Sequence, residues 1–113
     1  MKFFIVATLF ALSTVPVFAH SKANKMEPAN GAIISTVPEQ LSLTFVKKIR
    51  LTKVRMTHAD KHSEDLDLGS QKTFLKEFSV PMNDLGSGNY LIEWLGLGDD
   101  GHPMKGSFSF EVE

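Results

Sequence analysis

The chain has 113 residues, with 12 Lys and Arg against 13 Asp and Glu, a formal net charge of −1 and no cysteine. A chain of this length fits one domain, and a charge so near balance excludes the basic footprint of a nucleic-acid binder. The absence of thiols excludes a disulfide framework and every thiolate-ligated metal site, blue-copper electron transfer included.

Residues 1–19 carry Lys2, an apolar run from Phe3 to Val15 and the ending Pro16-Val17-Phe18-Ala19. A basic start, an apolar segment of this length and a small residue at the end predict a secretory signal peptide, too short to span a bilayer as a stable helix. Cleavage after Ala19 makes His20 the first residue of the mature protein. The competing site after Ala23 lies well beyond the apolar run and would place Lys22 beside the cut. Residues 20–113 are then expected to form a single exported, soluble domain, a monomer without a membrane span.

Lys22 to Met26 predicts a short first strand, and Glu27-Pro28-Ala29-Asn30-Gly31 supplies strong turn chemistry. Beyond a loop around Pro38, Leu41 to Phe45 alternates apolar and polar residues as a half-buried strand does. Leu51 to Thr57 predicts a further strand, with Thr52, Val54 and Met56 on one face and Lys53 and Arg55 on the other. His58 to Asp67 is polar. Phe74 to Val80 predicts a strand and Pro81 to Gly88 a loop. In Asn89 to Leu95, Tyr90, Ile92 and Trp94 share a face while Leu91 and Leu95 make the other apolar too, which predicts a central strand. In the last strand Gly106, Phe108, Phe110 and Val112 alternate with Lys105, Ser107, Ser109 and Glu111. Six or seven short strands without helical periodicity predict an all-β, antiparallel sandwich or Greek-key barrel. A tyrosine opening a late strand matches the tyrosine corner of immunoglobulin-like sandwiches.

Chemistry concentrates in Asp99-Asp100-Gly101-His102-Pro103. In an extended backbone Asp100 and His102 would point the same way and face one ion. Asp99 falls on the other side and reads as a turn residue. Alone, such a triplet is usually a polar turn. A mature N-terminal histidine changes this, because its α-amine and Nδ1 can chelate one metal in a six-membered ring. His20, Asp100 and His102 together offer three nitrogens and one carboxylate oxygen, a set that favours Cu(II) over Zn(II) or Ni(II). For this site to assemble, the first and last strands are expected to start at one pole and run in the same direction. His58 and His62, with Asp60, Glu64, Asp65 and Asp67 nearby, would form a second metal site only if that segment made a helical turn; otherwise it is a solvated loop.

The chain resembles the CopC-type periplasmic copper-resistance proteins, YobA-like chains among them. The resemblance is carried by His20 after the leader, Pro28-Ala29-Asn30-Gly31, the Leu41 to Phe45 strand, Gly88-x-Tyr90-x-Ile92-x-Trp94, and Asp100-Gly101-His102-Pro103 with Gly106-Ser107-Phe108-Ser109-Phe110. It implies a Greek-key barrel of immunoglobulin-like type. It also implies Cu(II) binding in the periplasm through His20, Asp100 and His102, with a copper-transporting inner-membrane protein as partner. Two departures stand out. Many members have an acidic residue near the copper where this chain reads Phe45-Val46-Lys47-Lys48. Members with a Cu(I) site carry a methionine-rich segment, whereas Met26, Met56, Met82 and Met104 are scattered, so no thioether Cu(I) site is expected. The resulting expectation is a Cu(II)-binding protein of copper resistance or homeostasis, and no enzyme. The alternatives are a copper-brace oxidoreductase, similar in site chemistry to polysaccharide monooxygenases, and a structural sandwich without metal.

Overall fold

The computed structural model describes residues 24–70 and 72–113, and every regular element among them is a strand. In chain order these are β1 Lys25–Glu27, β2 Ala32–Ile34, β3 Gln40–His58, β4 His62–Asp65, β5 Leu75–Pro81, β6 Gly88–Gly98 and β7 Pro103–Val112. The fold is the expected all-β, immunoglobulin-like Greek-key sandwich, its sheet curled into a half-barrel.

β3 is the hub. The two strands expected at Leu41 to Phe45 and Leu51 to Thr57 are one continuous strand of 19 residues. Its pairing shifts register twice, between Thr44 and Ile49 against β5 and between Leu51 and Lys53 against β6. An extra residue in one strand of a pair interrupts the period-two alternation. Leu51 and Val54 are therefore both buried while Thr52 is exposed, which corrects the expectation that Thr52 shares a face with Val54 and Met56.

Pairing partners fix what lies on each side of β3. Thr44 pairs with Lys25 of β1 and Glu77 of β5, and Ile49 pairs with Leu75 of β5 and Gly98 of β6. Since β5 occupies one side along this length, β1 and β6 share the other, one after the other. Both run antiparallel to β3 and so in the same sense, whereas β7 is antiparallel to β6. The first and last strands thus run in opposite directions, against expectation. β2 adds to the far edge of β7 as the one parallel pair, with Ala32 opposite Phe110. β2 and β4, which the sequence patterns did not predict, are three and four residues long.

The inner faces of β3, β5, β6 and β7 close on a core that includes Leu41, Leu43, Ile49, Ile92, Phe108 and Phe110. Phe45, in the first half of β3, makes edge contacts with Phe78 of β5 and Trp94 of β6, at ring-centroid distances of 5.8 and 4.9 Å. β6 is central, as expected, lying between β3 and β7, but Leu91 and Leu95 on its second face are exposed. The tyrosine corner is present: the Tyr90 hydroxyl donates to the Gly86 carbonyl (2.6 Å) and accepts from the Leu85 N–H (3.1 Å).

Candidate metal centre

The β6–β7 connection is a tight hairpin. Gly98 N–H donates to the His102 carbonyl at 2.8 Å, and Gly101 N–H donates to the Gly98 carbonyl at 2.9 Å. Gly101 has φ +87°, a conformation that glycine adopts without steric cost. This is a three-residue loop built on a turn whose last position is left-handed. Pro103, which has no N–H to offer, takes the first position of β7.

The turn brings Asp100 and His102 together. Asp100 Oδ1 accepts the His102 backbone N–H at 3.0 Å, and Oδ2 lies 3.1 Å from His102 Nδ1. The contact arises from a turn that folds one side chain back on the other, not from the strand alternation predicted. The His102 N–H, and then the imidazole, hold the Asp100 carboxyl below its ordinary value of 3.8, so it is ionised through neutral and mildly acidic pH. Both side chains are largely exposed, 65% for Asp100 and 81% for His102.

Gly98 makes this arrangement possible. A Cβ there would stand 2.8 Å from Asp100 Oδ1 and 3.4 Å from both the His102 carbonyl and Met104 Sδ. Sequence reasoning missed this position, although a glycine directly before Asp99-Asp100-Gly101-His102 was visible.

The donor pair suits a metal. Two donors with bonds of about 2.0–2.1 Å, at right angles about one ion, are separated by roughly 2.8–3.0 Å. The Oδ2 to Nδ1 distance of 3.1 Å is close to that separation. Among the described residues no group of three or more His, Asp or Glu side chains gathers around one point. His20 lies outside the described residues. β1, downstream of it, is placed so that its start at Lys25 pairs with Thr44, on the same side of β3 as Gly98, which pairs with Ile49. Read from Glu27 to Lys25, β1 runs along β3 in the direction of Ile49, the partner of Gly98. The intervening Val46, Lys47 and Lys48 are exposed, and this stretch of β3 provides no carboxylate.

The second histidine pair does not form a site. Residues 58 to 62 close the β3–β4 hairpin, with Ala59 and Asp60 at φ 54° and 59°, and no helical turn forms. His58 Nε2 is 2.8 Å from the Ser87 carbonyl and its ring packs on Tyr90 at 4.7 Å. His62 Nε2 is 2.9 Å from Glu64 Oε1. That contact, together with the Asn83 amide, lowers the Glu64 pKa below 4.5. Each imidazole is engaged with a different partner.

Comparison with known proteins gives a consistent picture. The protein YobA of Escherichia coli K12 is 24% identical over 117 residues, a span that takes in all of this chain and 94% of YobA. Copper resistance protein C of Xanthomonas campestris pv. juglandis is 26% identical over 125 residues, covering 96% of this chain and 92% of that protein. Among solved structures, CopC from Methylosinus trichosporium OB3b superposes with a TM-score of 0.66 at 18% identity, over 79% of this chain and 89% of that one. PcoC, a methionine-rich copper resistance protein from Escherichia coli, superposes with a TM-score of 0.56 at 23% identity, over 80% of this chain and 96% of that one. The structural matches establish the shared fold, and the CopC domain model matches residues 23–113; the chain belongs to the CopC family.

Proposed function

We propose that the protein is exported to the periplasm, cut after Ala19, and binds Cu(II) through the α-amine and imidazole of His20 together with Asp100 and His102. It sequesters copper, or delivers it to a copper-transporting inner-membrane protein, in resistance or homeostasis. The observation that carries this reading is the Asp100–His102 pair, held 3.1 Å apart at a hairpin tip on the side of β3 from which β1 enters.

Reach is not limiting. His20 is five residues upstream of Lys25, the same number that separates Thr44 from Ile49 along β3. Five extended residues cover about 17 Å. Three nitrogens and an ionised carboxylate oxygen make a tetragonal donor set, the one Cu(II) takes most strongly in the divalent series. The anionic oxygen also stabilises Cu(II) relative to Cu(I) and fills a position that oxygen chemistry would need. This supports a binding module over a copper-brace oxidoreductase.

The test is a Cu(II) titration of protein beginning at His20 against protein with one alanine added before it. Every side chain is retained but the amine chelate is lost. Affinity should fall by at least about tenfold, and the EPR spectrum should lose one nitrogen donor. Equal affinity with an unchanged spectrum would place the ligands elsewhere.

A further inference from the structure

We infer that Met104 gives the same hairpin a soft donor, so that the site also holds Cu(I), through the His102 imidazole and the Met104 thioether. This rests on the placement of His102 in the copper site proposed above.

The pairing of β6 with β7 brings Met104 there. Its cross-strand partner is Gly96, two positions from Gly98, so no side chain stands opposite it. Met104 Sδ and Asp100 Oδ1 approach one spot above Gly98, at 3.4 and 2.8 Å from where a Cβ would sit, and the His102 carbonyl is 3.4 Å from the same spot. Thioether and carboxylate thus line one small space at the base of the hairpin. A residue that precedes a proline is disfavoured in the α region, and in an extended chain residues two apart, as His102 and Met104 are, lean the same way. The stem of Met104 packs on the core and leaves it only partly buried. A methionine side chain is flexible enough to turn its sulfur towards an adjacent ligand.

Chemistry divides the donors. A carboxylate is a hard ligand suited to Cu(II), a thioether is a soft one that selects Cu(I), and imidazole serves both. His102 is then common to both oxidation states, with Asp100 contributing to one and Met104 to the other. The other described methionines are placed differently: Met56 and Met82 are buried in the core, and Met26 sits on β1 beside Trp94 and Phe108. Scattered methionines predict no Cu(I) site; strand pairing, which sequence spacing does not express, brings one of them to the hairpin.

The experiment uses protein beginning at His20, loaded anaerobically with Cu(I) in competition with bicinchoninate and, separately, titrated with Cu(II). Wild type, Met104→Leu and the control Met26→Leu are compared, and X-ray absorption of the wild-type Cu(I) form looks directly for a copper–sulfur distance near about 2.3 Å. Support is a sulfur scatterer in wild type and a loss of at least about tenfold in Cu(I) affinity for Met104→Leu, with Cu(II) affinity and Met26→Leu unchanged. Leucine for methionine nearly conserves volume, and the wild-type spectrum needs no variant to fold. Normal Cu(II) binding with no sulfur at Cu(I), or with Met104→Leu indistinguishable from wild type, overturns the role of Met104 and leaves the Cu(II) reading intact. Failure of wild type to bind Cu(II) overturns both.

Discussion

Tyr90 is the only tyrosine in the chain, and it is fully buried with its hydroxyl bonded to the loop that precedes its own strand. Burial is the main cause of its raised pKa, with the Asp84 charge adding to it and the Leu85 N–H opposing. A phenol whose folded pKa lies above its unfolded one stabilises the fold fully below the unfolded value and loses that contribution as pH rises through the folded value. Ultraviolet titration of this one chromophore should therefore show ionisation delayed beyond pH 10.0 and coincident with unfolding. Ionisation at the ordinary value without unfolding would contradict the corner. Tyr90→Phe should cost about 0.5–1.5 kcal/mol by denaturant melting, because the Gly86 carbonyl and the half-buried Leu85 N–H lose their shared partner. This residue was legible in the sequence because the corner is a local motif. So were Asp100 and His102, two positions apart. Gly98 and Met104 were not, because their importance lies in what stands across the hairpin from them.

Among the elements, local periodicity revealed the long strands and missed the short ones. Gly106 to Val112 alternates without interruption and was recognised. Ala32–Ile34 has three apolar residues and no alternation, and it becomes a strand because Asn30 and Gly31 dock it on β7. Asn30 Oδ1 accepts the Ser109 N–H at 2.9 Å, and the Gly31 N–H donates to the Ser109 carbonyl at 2.7 Å. The turn motif thus also acts as a clip across the sheet. Asn30→Ala should remove about 0.5–1.5 kcal/mol, read from the denaturant midpoint, and raise amide exchange in β2 ahead of the rest of the sheet. Uniform exchange across the sheet would show that the clip does not hold β2. The facing of β3 was equally hidden from a pattern reading, since register shifts are set by partners distant in sequence.

At the scale of the whole molecule, Phe45 against Trp94 joins the first half of β3 to β6, which pairs with its second half, and Gly106 makes room for that indole. A Cβ on Gly106 would stand 2.6 Å from Trp94 Cζ2, on a rigid ring and not on a flexible chain end. Gly106→Ala should therefore destabilise the fold by about 1–3 kcal/mol, with a change in the emission of the sole tryptophan, Trp94. Unaltered stability and emission would mean the indole has space to move. The global arrangement also explains why the first and last strands need not be parallel for the proposed site. β1 and β6 lie one after the other along one side of β3, so the start of β1 at Lys25 is at the end nearer Ile49 and Gly98 whichever way β7 runs.

The parallel pairing of β2 with β7 bears on when the protein folds. Ala32 is matched to Phe110, and the Glu113 N–H closes the edge by donating to the Ile34 carbonyl at 2.9 Å. An early segment of the chain therefore waits for residues 110–113 before its backbone is satisfied, and contacts of such long sequence separation form slowly. During synthesis β2 therefore stays without its partner strand until β7 has been made, so this edge of the sheet closes after the strands between them are available to pair.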